Sequence, residues 1–336
     1  MKNFIKLILN RLGWERLSYP VPSHANTLSY SLGGFTLVGF GILILSGIFL
    51  AQYYNPSPEG ANRSVHYINE QVYLGWFIRG LHFWSMQFVV VCVSLHVLRT
   101  FVTASFKNPR EINWLSGVIL LGIIGGFIFT GTTLKWDQEA YEALEHNLWV
   151  AKKLGPFGFV LSENFTESVS MLGRLYGMHT SFLPIIFFPL IALHLALQQF
   201  HGLSQKPLDQ NKMGFIPFTA HMKHLVFNGL GLFALISTLA LFILPPLGNT
   251  PVIGIEVTKP PWMFLWIYAL ENRWVPFLIF APAILFLLLI MVPFFERTDV
   301  TIPQKRKLPI AIFLLGVLFI VFLIILGYFT TEGHTM

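Results

Sequence analysis

Long apolar runs separated by short polar stretches set the rhythm of this chain. Seven of them, 33–54, 76–104, 112–134, 172–201, 225–244, 276–294 and 309–328, approach or exceed the roughly 20 residues that cross the hydrocarbon core of a bilayer. Backbone N–H and C=O groups facing lipid must pair within their own segment, so these runs are predicted to be helices. The roughly ten-residue alternating segments of a membrane β-barrel are absent. Pro184, Pro189 and Pro282 fall inside spans, where kinks packed against neighbouring helices are tolerated. The fold class expected is an all-α integral membrane protein with about seven transmembrane helices. A polar segment, 202–224, divides the first four spans from the last three, giving two units, 1–204 and 205–336.

Composition agrees with the pattern. The 336 residues are 54% hydrophobic and 11% charged, against about 25% charged in a soluble domain. The mean hydropathy is +0.63. Cys92 is the only cysteine, so no disulfide framework is available. Residues 1–30 lack a short apolar core followed by a small-residue cleavage site, and no cleavable signal is expected. The net charge of +6 reads as loop lysines and arginines that set orientation, with no nucleic acid implied.

Seven spans place the termini on opposite sides. Lys2, Lys6, Arg11, Arg16, Arg99, Lys107, Arg110, Lys206, Lys212, Lys223, Arg297, Lys305, Arg306 and Lys307 gather on the N-terminal side. Arg63, Arg79, Lys135, Lys152, Lys153, Arg174, Lys259 and Arg273 lie on the other. The positive-inside rule then puts the N-terminus on the negative, cytoplasmic side of an energy-transducing membrane. Two long loops, 135–171 and 245–275, fall on the positive side, and long loops on one face point to function there.

Four histidines sit within the apolar spans: His82 and His96 on the second, His179 and His194 on the fourth. An ionisable residue at membrane depth is costly and is a functional candidate. One such histidine alone reads as a hydrogen-bonded interior residue; two matched pairs read differently. The steps of 14 and 15 residues leave angular offsets of about −40° and +60° and rises of about 21 and 22.5 Å. Each helix therefore carries one imidazole near each membrane face. Span 112–134 returns the chain, so the two histidine helices run parallel, and His82 faces His179 as His96 faces His194. Two opposed neutral imidazoles are what a six-coordinate haem iron accepts. A zinc site wants four clustered ligands instead.

The flanking spans repeat the step. Gly33 and Gly47 on the first span, and Gly117 and Gly131 on the third, are each 14 apart. Ordinary helix packing uses glycine too, but the shared step favours contact with a flat macrocycle at four missing side chains. Arg79 and Arg174 lie about one turn outside His82 and His179, and Arg99 follows His96. Each is a candidate for a haem propionate, with interface snorkelling as the alternative. The expectation is a four-helix bundle holding two non-covalent, bis-histidine b haems, their iron ligated by His82 with His179 and His96 with His194.

At these residues the chain resembles cytochrome b of the Rieske/cytochrome b complexes, the bc- and bf-type quinol oxidoreductases. The most specific stretches are GWFIRGLHFWS (75–85), LHVLRT (95–100), FKNPREINWLSGV (106–118), TLKWDQ (133–138) and LGRLYGMHTSFLP (172–184). The histidine spacing and the KNPRE and WDQ segments are similar to the photosynthetic bf branch, whose haem subunit and three-helix subunit IV look fused here, with the join in 202–224. The resemblance implies quinol oxidation near the positive side, between the 135–150 and 245–275 loops. One electron would pass to a Rieske iron–sulfur protein and on to a cytochrome c or multihaem cytochrome. The other would cross the membrane by way of His82/His179 and His96/His194 to a quinone near the negative side, where His201 is a candidate. Family members are dimers, so a homodimer within a larger complex is expected.

Two positions depart from the family. Its oxidation site carries a Pro-Glu-Trp-Tyr motif; the aligned residues are Pro260, Pro261, Trp262 and Met263. Proline cannot accept a quinol proton. Glu256, Glu271, Asp137 and Glu139 are nearby candidates for that role, although each is expected to be a solvated loop acid; different quinone chemistry or a degraded site is the alternative. The bf branch also attaches an extra haem through a cysteine near the start of the first span. Ser31 stands there, so no covalent haem is expected by that route. Two rival readings are a two-haem anchor of a dehydrogenase or hydrogenase, which would not be expected to carry the WDQ and PPW loops, and a haem-free transporter with a midplane site.

Overall fold

The computed structural model describes residues 2–11, 19–204, 214–298 and 300–330. Arg16, Lys206, Lys212 and the junction between the two units lie outside the described residues. Eleven helices follow in order: α1 (Lys2–Arg11), α2 (Leu28–Ala51), α3 (Ala61–Glu70), α4 (Gly75–Val102), α5 (Glu111–Thr133), α6 (Gln138–Lys153), α7 (Met171–His201), α8 (Phe218–Phe242), α9 (Leu265–Glu271), α10 (Phe277–Phe295) and α11 (Lys307–Phe329). Seven of them, α2, α4, α5, α7, α8, α10 and α11, are long and apolar enough to span a bilayer. They coincide with the seven apolar runs. α8 starts seven residues before its run because the backbone helix continues through the polar turn Phe218–His224. Once nucleated, a helix propagates through any residue that still pairs its backbone.

Helix α2 packs along α4, α5 along α7, and α8 along α4. Between the two levels marked by the histidines lies an apolar layer containing Phe40, Val89, Ile124 and Phe187. Phe40 stands seven residues from both Gly33 and Gly47, Val89 seven from both His82 and His96, and Ile124 seven from both Gly117 and Gly131. The rings of Phe40 and Phe187 meet at 4.6 Å. Apolar side chains at the midpoint of each helix thus separate two polar levels.

Short segments fix the ends. Strand β1 (Pro20–Pro22) pairs antiparallel with β2 (Phe215–Pro217), joining the chain before α2 to the chain before α8. On the same side Glu296 binds both Lys107, at 2.9 Å, and Arg306. Arg306 also donates to the carbonyls of Phe101 and Val102, and Lys107 to those of Thr298 and Val300. Two of the cations counted toward orientation are buried and share this one carboxylate. The two hydrogen bonds and two cations hold the Glu296 carboxyl below its ordinary value, although burial alone would raise it.

Candidate functional site

The histidine helices deliver what their spacing forecasts, with one irregularity. Residues Met178–Phe182 form a π-turn, and Pro184 follows it. Proline has no N–H for the Thr180 carbonyl, and a π-turn takes up one extra residue. The 15-residue step of α7 therefore matches the 14-residue step of α4, and the sequence-derived offset of +60° between His179 and His194 does not apply. His82 and His179 stand opposite one another, ring centroids 6.3 Å apart. A metal ion held by one nitrogen of each ring at about 2 Å would set the centroids about 6 Å apart, so this pair fits an iron between them. The second pair lies the same number of turns farther along the parallel helices.

Each glycine stands behind one imidazole. A Cβ at Gly47 would lie 3.2 Å from His82 Cε1, at Gly33 3.3 Å from His96, at Gly117 3.2 Å from His194 and at Gly131 3.0 Å from His179. The four glycines thus make room for the rings themselves. The residue before three of these glycines is hydroxylic. Ser46 Oγ lies 3.0 Å from His82 Nδ1, Ser116 Oγ 2.9 Å from His194 Nδ1, and Thr130 Oγ1 2.9 Å from His179 Nδ1. Each hydroxyl donates its hydrogen to a carbonyl of its own helix: Ile42, Asn113 and Gly126. Its oxygen is left to accept, so the imidazole carries its proton on Nδ1 and keeps Nε2 as the ligating lone pair. These three hydroxyls escaped the sequence reading, although Ser-Gly at 46–47 and 116–117 and Thr-Gly at 130–131 were there to be read.

The three arginines are held by protein groups. Arg79 donates to the carbonyls of Pro245 and Pro246, and Arg174 to those of Val160 and Ser162, so both tie loops to helix ends. Arg99 lies over the Tyr30 ring, 4.6 Å from its centroid, and donates to Ser105. Ser31 is buried, and its hydroxyl lies within hydrogen-bond distance of the carbonyls of Ala25 and Thr27.

At the opposite end of the bundle from the strand pair, α6 and the 245–271 segment enclose an acid cluster. Glu142 accepts from Val257 N, Thr258 N, the Thr258 hydroxyl and Gln138 Nε2, which anchors the chain just before Pro260 and Pro261. His146 Nδ1 donates to the Glu142 carbonyl at 2.7 Å. Its Nε2 meets Glu271 at 2.9 Å and Glu256 at 3.7 Å. Burial alone would lower the imidazole, but Glu271, the Glu142 carbonyl and Glu256 outweigh it and push His146 up to about 9. The expectation of solvated acids fails for Glu256 and Glu271: side-chain exposures are 11% and 5%. Glu256 and Glu271 thus approach one imidazole beside the Pro260–Trp262 loop. Trp262 donates to Gln87 of α4 at 2.6 Å. Asp137 caps α6 at Ala140 N and accepts from Gly248 N and Lys135. Glu139 pairs with Lys135.

On the strand-pair side, a cavity of about 430 Å³ opens between α2 and α8. Asn26, His224 and Asn228 supply its polar end; Phe35, Leu232 and Leu235 line the rest. His224 and Asn228 are hydrogen-bonded at 2.8 Å. His201 is not among its lining residues; its carbonyl accepts from Arg110.

The family model described as Cytochrome b/b6/petB matches residues 16–202. Cytochrome b6 of Heliobacterium modesticaldum (strain ATCC 51547 / Ice1) is 37% identical over 200 residues, 58% of this chain and 94% of that protein. Cytochrome b6 of Prochlorothrix hollandica is 38% identical over 188 residues, 55% of this chain and 84% of the other. A chain of a solved structure described as a hyperthermophilic respiratory Complex III superposes with a TM-score of 0.83 at 26% identity. That likeness covers 97% of this chain and 91% of the other.

Proposed function

From this chain's membership of the cytochrome b/b6 family, which the match over more than half its length establishes, we propose that it is the multi-pass cytochrome b subunit of a bc/b6f-type quinol oxidoreductase. The observation that carries the reading is the His82–His179 pair with centroids 6.3 Å apart, with a glycine behind each of these imidazoles and behind His96 and His194. His82 with His179 and His96 with His194 would each hold one non-covalent haem b. When bound, haem supplies reversible one-electron transfer between the two membrane faces. The chain's part is to present four Nε2 lone pairs at two levels and keep water out of the apolar layer between.

Quinol would be oxidised beside Pro260, Pro261 and Trp262 on the positive side, giving one electron to a Rieske-type iron–sulfur protein that serves a cytochrome c or multihaem cytochrome. Glu271 and Glu256, gathered by His146, would accept the proton that a carboxylate at position 261 would otherwise take. Asp137 and Glu142 shape the pocket by holding α6 and the 248–258 segment. The other electron would leave to quinone in the cavity of Asn26, His224 and Asn228, with the isoprenoid tail along Leu232 and Leu235. The N-terminus and this cavity would then lie on the negative, cytoplasmic side. Residues 1–204 form the haem-binding unit and 205–336 a subunit IV-like unit, within a homodimeric complex.

A redox-titrated visible spectrum with pyridine haemochrome quantification tests the core of this reading. Two b haems per chain, one lost in His82→Ala and the other in His96→Ala, are expected. Fewer than two in the wild-type protein would overturn it.

A further inference from the structure

The four imidazoles are not equivalent. Three have a hydroxyl oxygen within 3.0 Å of Nδ1, always from the residue before the glycine behind the ring. At the fourth glycine, Gly33, that residue is Leu32. Leu32 is buried, and His96 Nδ1 is a buried nitrogen with no hydrogen-bond partner. The neighbouring hydroxyl of Ser31 does not take the role, since it faces carbonyls of Ala25 and Thr27.

An acceptor on the distal nitrogen fixes the tautomer and makes an imidazole a stronger electron donor to a metal. A stronger axial donor favours ferric iron, so the reduction potential falls. His82, His179 and His194 have this support; His96 does not. We propose that Leu32 is a potential-setting residue: by withholding an acceptor from His96 it raises the reduction potential of the haem at His96/His194 above that of the haem at His82/His179. Resting on the two-haem reading above, this supplies a reason for electrons to run from the fully supported pair to the half-supported one.

Leu32→Ser in the full-length protein restores the missing hydroxyl, and Leu32→Ala removes the same volume without adding an acceptor. Relative to Leu32→Ala, Leu32→Ser is expected to raise the ferric-to-ferrous ratio of the His96/His194 component about three- to tenfold at fixed potential, tenfold being 59 mV for one electron. The His82/His179 component should stay in place. Thr130→Val performs the reverse experiment on a nearly isosteric side chain: by removing the acceptor of His179 it should raise the midpoint of the His82/His179 component alone. Equal midpoints in Leu32→Ser and Leu32→Ala, or an unmoved component in Thr130→Val, would overturn the inference and leave the two-haem reading standing. Absence of two haem components from the wild-type protein overturns both.

Discussion

His146 Nε2 lies 2.9 Å from a carboxylate oxygen of Glu271, in a cluster that joins α6 to the end of α9. The pairing gives an imidazole pushed up to about 9. Its folded value lies above its ordinary 6.5, so its contribution to stability is complete below about pH 6.5 and disappears as pH rises through about 9. Glu271→Gln should therefore flatten the decline in thermal stability between those limits. If the cluster accepts the quinol proton, the same variant slows quinol-driven haem reduction at least tenfold, below the usual range of about 10²–10⁴ for general acid–base groups. Melting curves at a series of pH values and stopped-flow reduction by quinol check the two effects separately.

Gly131 leaves less room than the other three glycines, its added Cβ falling 3.0 Å from His179 Cε1. Gly131→Val forces the imidazole to move, and His179 sits in a π-turn that already sets its direction. One haem component, that of the His82/His179 pair, should vanish from the visible spectrum. The His96/His194 component should persist.

Glu296 is the carboxylate partner of the buried cations Lys107 and Arg306. Removing one partner from a buried ion pair strands a charge, a loss of about 3–5 kcal/mol. Glu296→Gln should lower the midpoint of thermal unfolding in nanodiscs by several degrees. A variant as stable as wild type would show that water reaches both cations.

His224 and Asn228 are hydrogen-bonded at 2.8 Å in the cavity between α2 and α8. Replacing both by leucine removes every polar group that α8 offers there. Reoxidation by quinone of the haem at His96/His194 should slow strongly, with haem content and quinol-driven reduction retained. Flash-induced or stopped-flow reoxidation kinetics would read the difference.

Much of this architecture is a one-dimensional property of the chain. Seven apolar runs become seven spans because lipid leaves the backbone no other way to pair its polar groups. The steps from His82 to His96, Gly33 to Gly47 and Gly117 to Gly131 are helix geometry, legible from residue numbers alone. The His179–His194 step was legible only in part: the extra residue is absorbed by a π-turn that no periodicity announces. Ser46, Ser116 and Thr130 were readable in principle, as hydroxylic residues one step before the glycines.

The acid cluster was of another kind. Glu142, His146, Glu256 and Glu271 come from three segments, and charge alone suggested solvated loop acids at Glu256 and Glu271. Only the docking of α6 against 256–271 buries them, so tertiary contact decides that an imidazole is charged and that two carboxylates compete for it. The same holds for the arginines. Sequence put Arg79 and Arg174 at helix ends, and only the folded loops show the carbonyls that each of them also meets. The sequence by itself therefore determined the spans and the two levels at which histidines face glycines, because these depend on residue spacing along single helices. The tertiary structure decided which hydroxyls meet three of the four imidazoles and which carbonyls and carboxylates the buried charges meet, because those depend on groups far apart in the chain coming together.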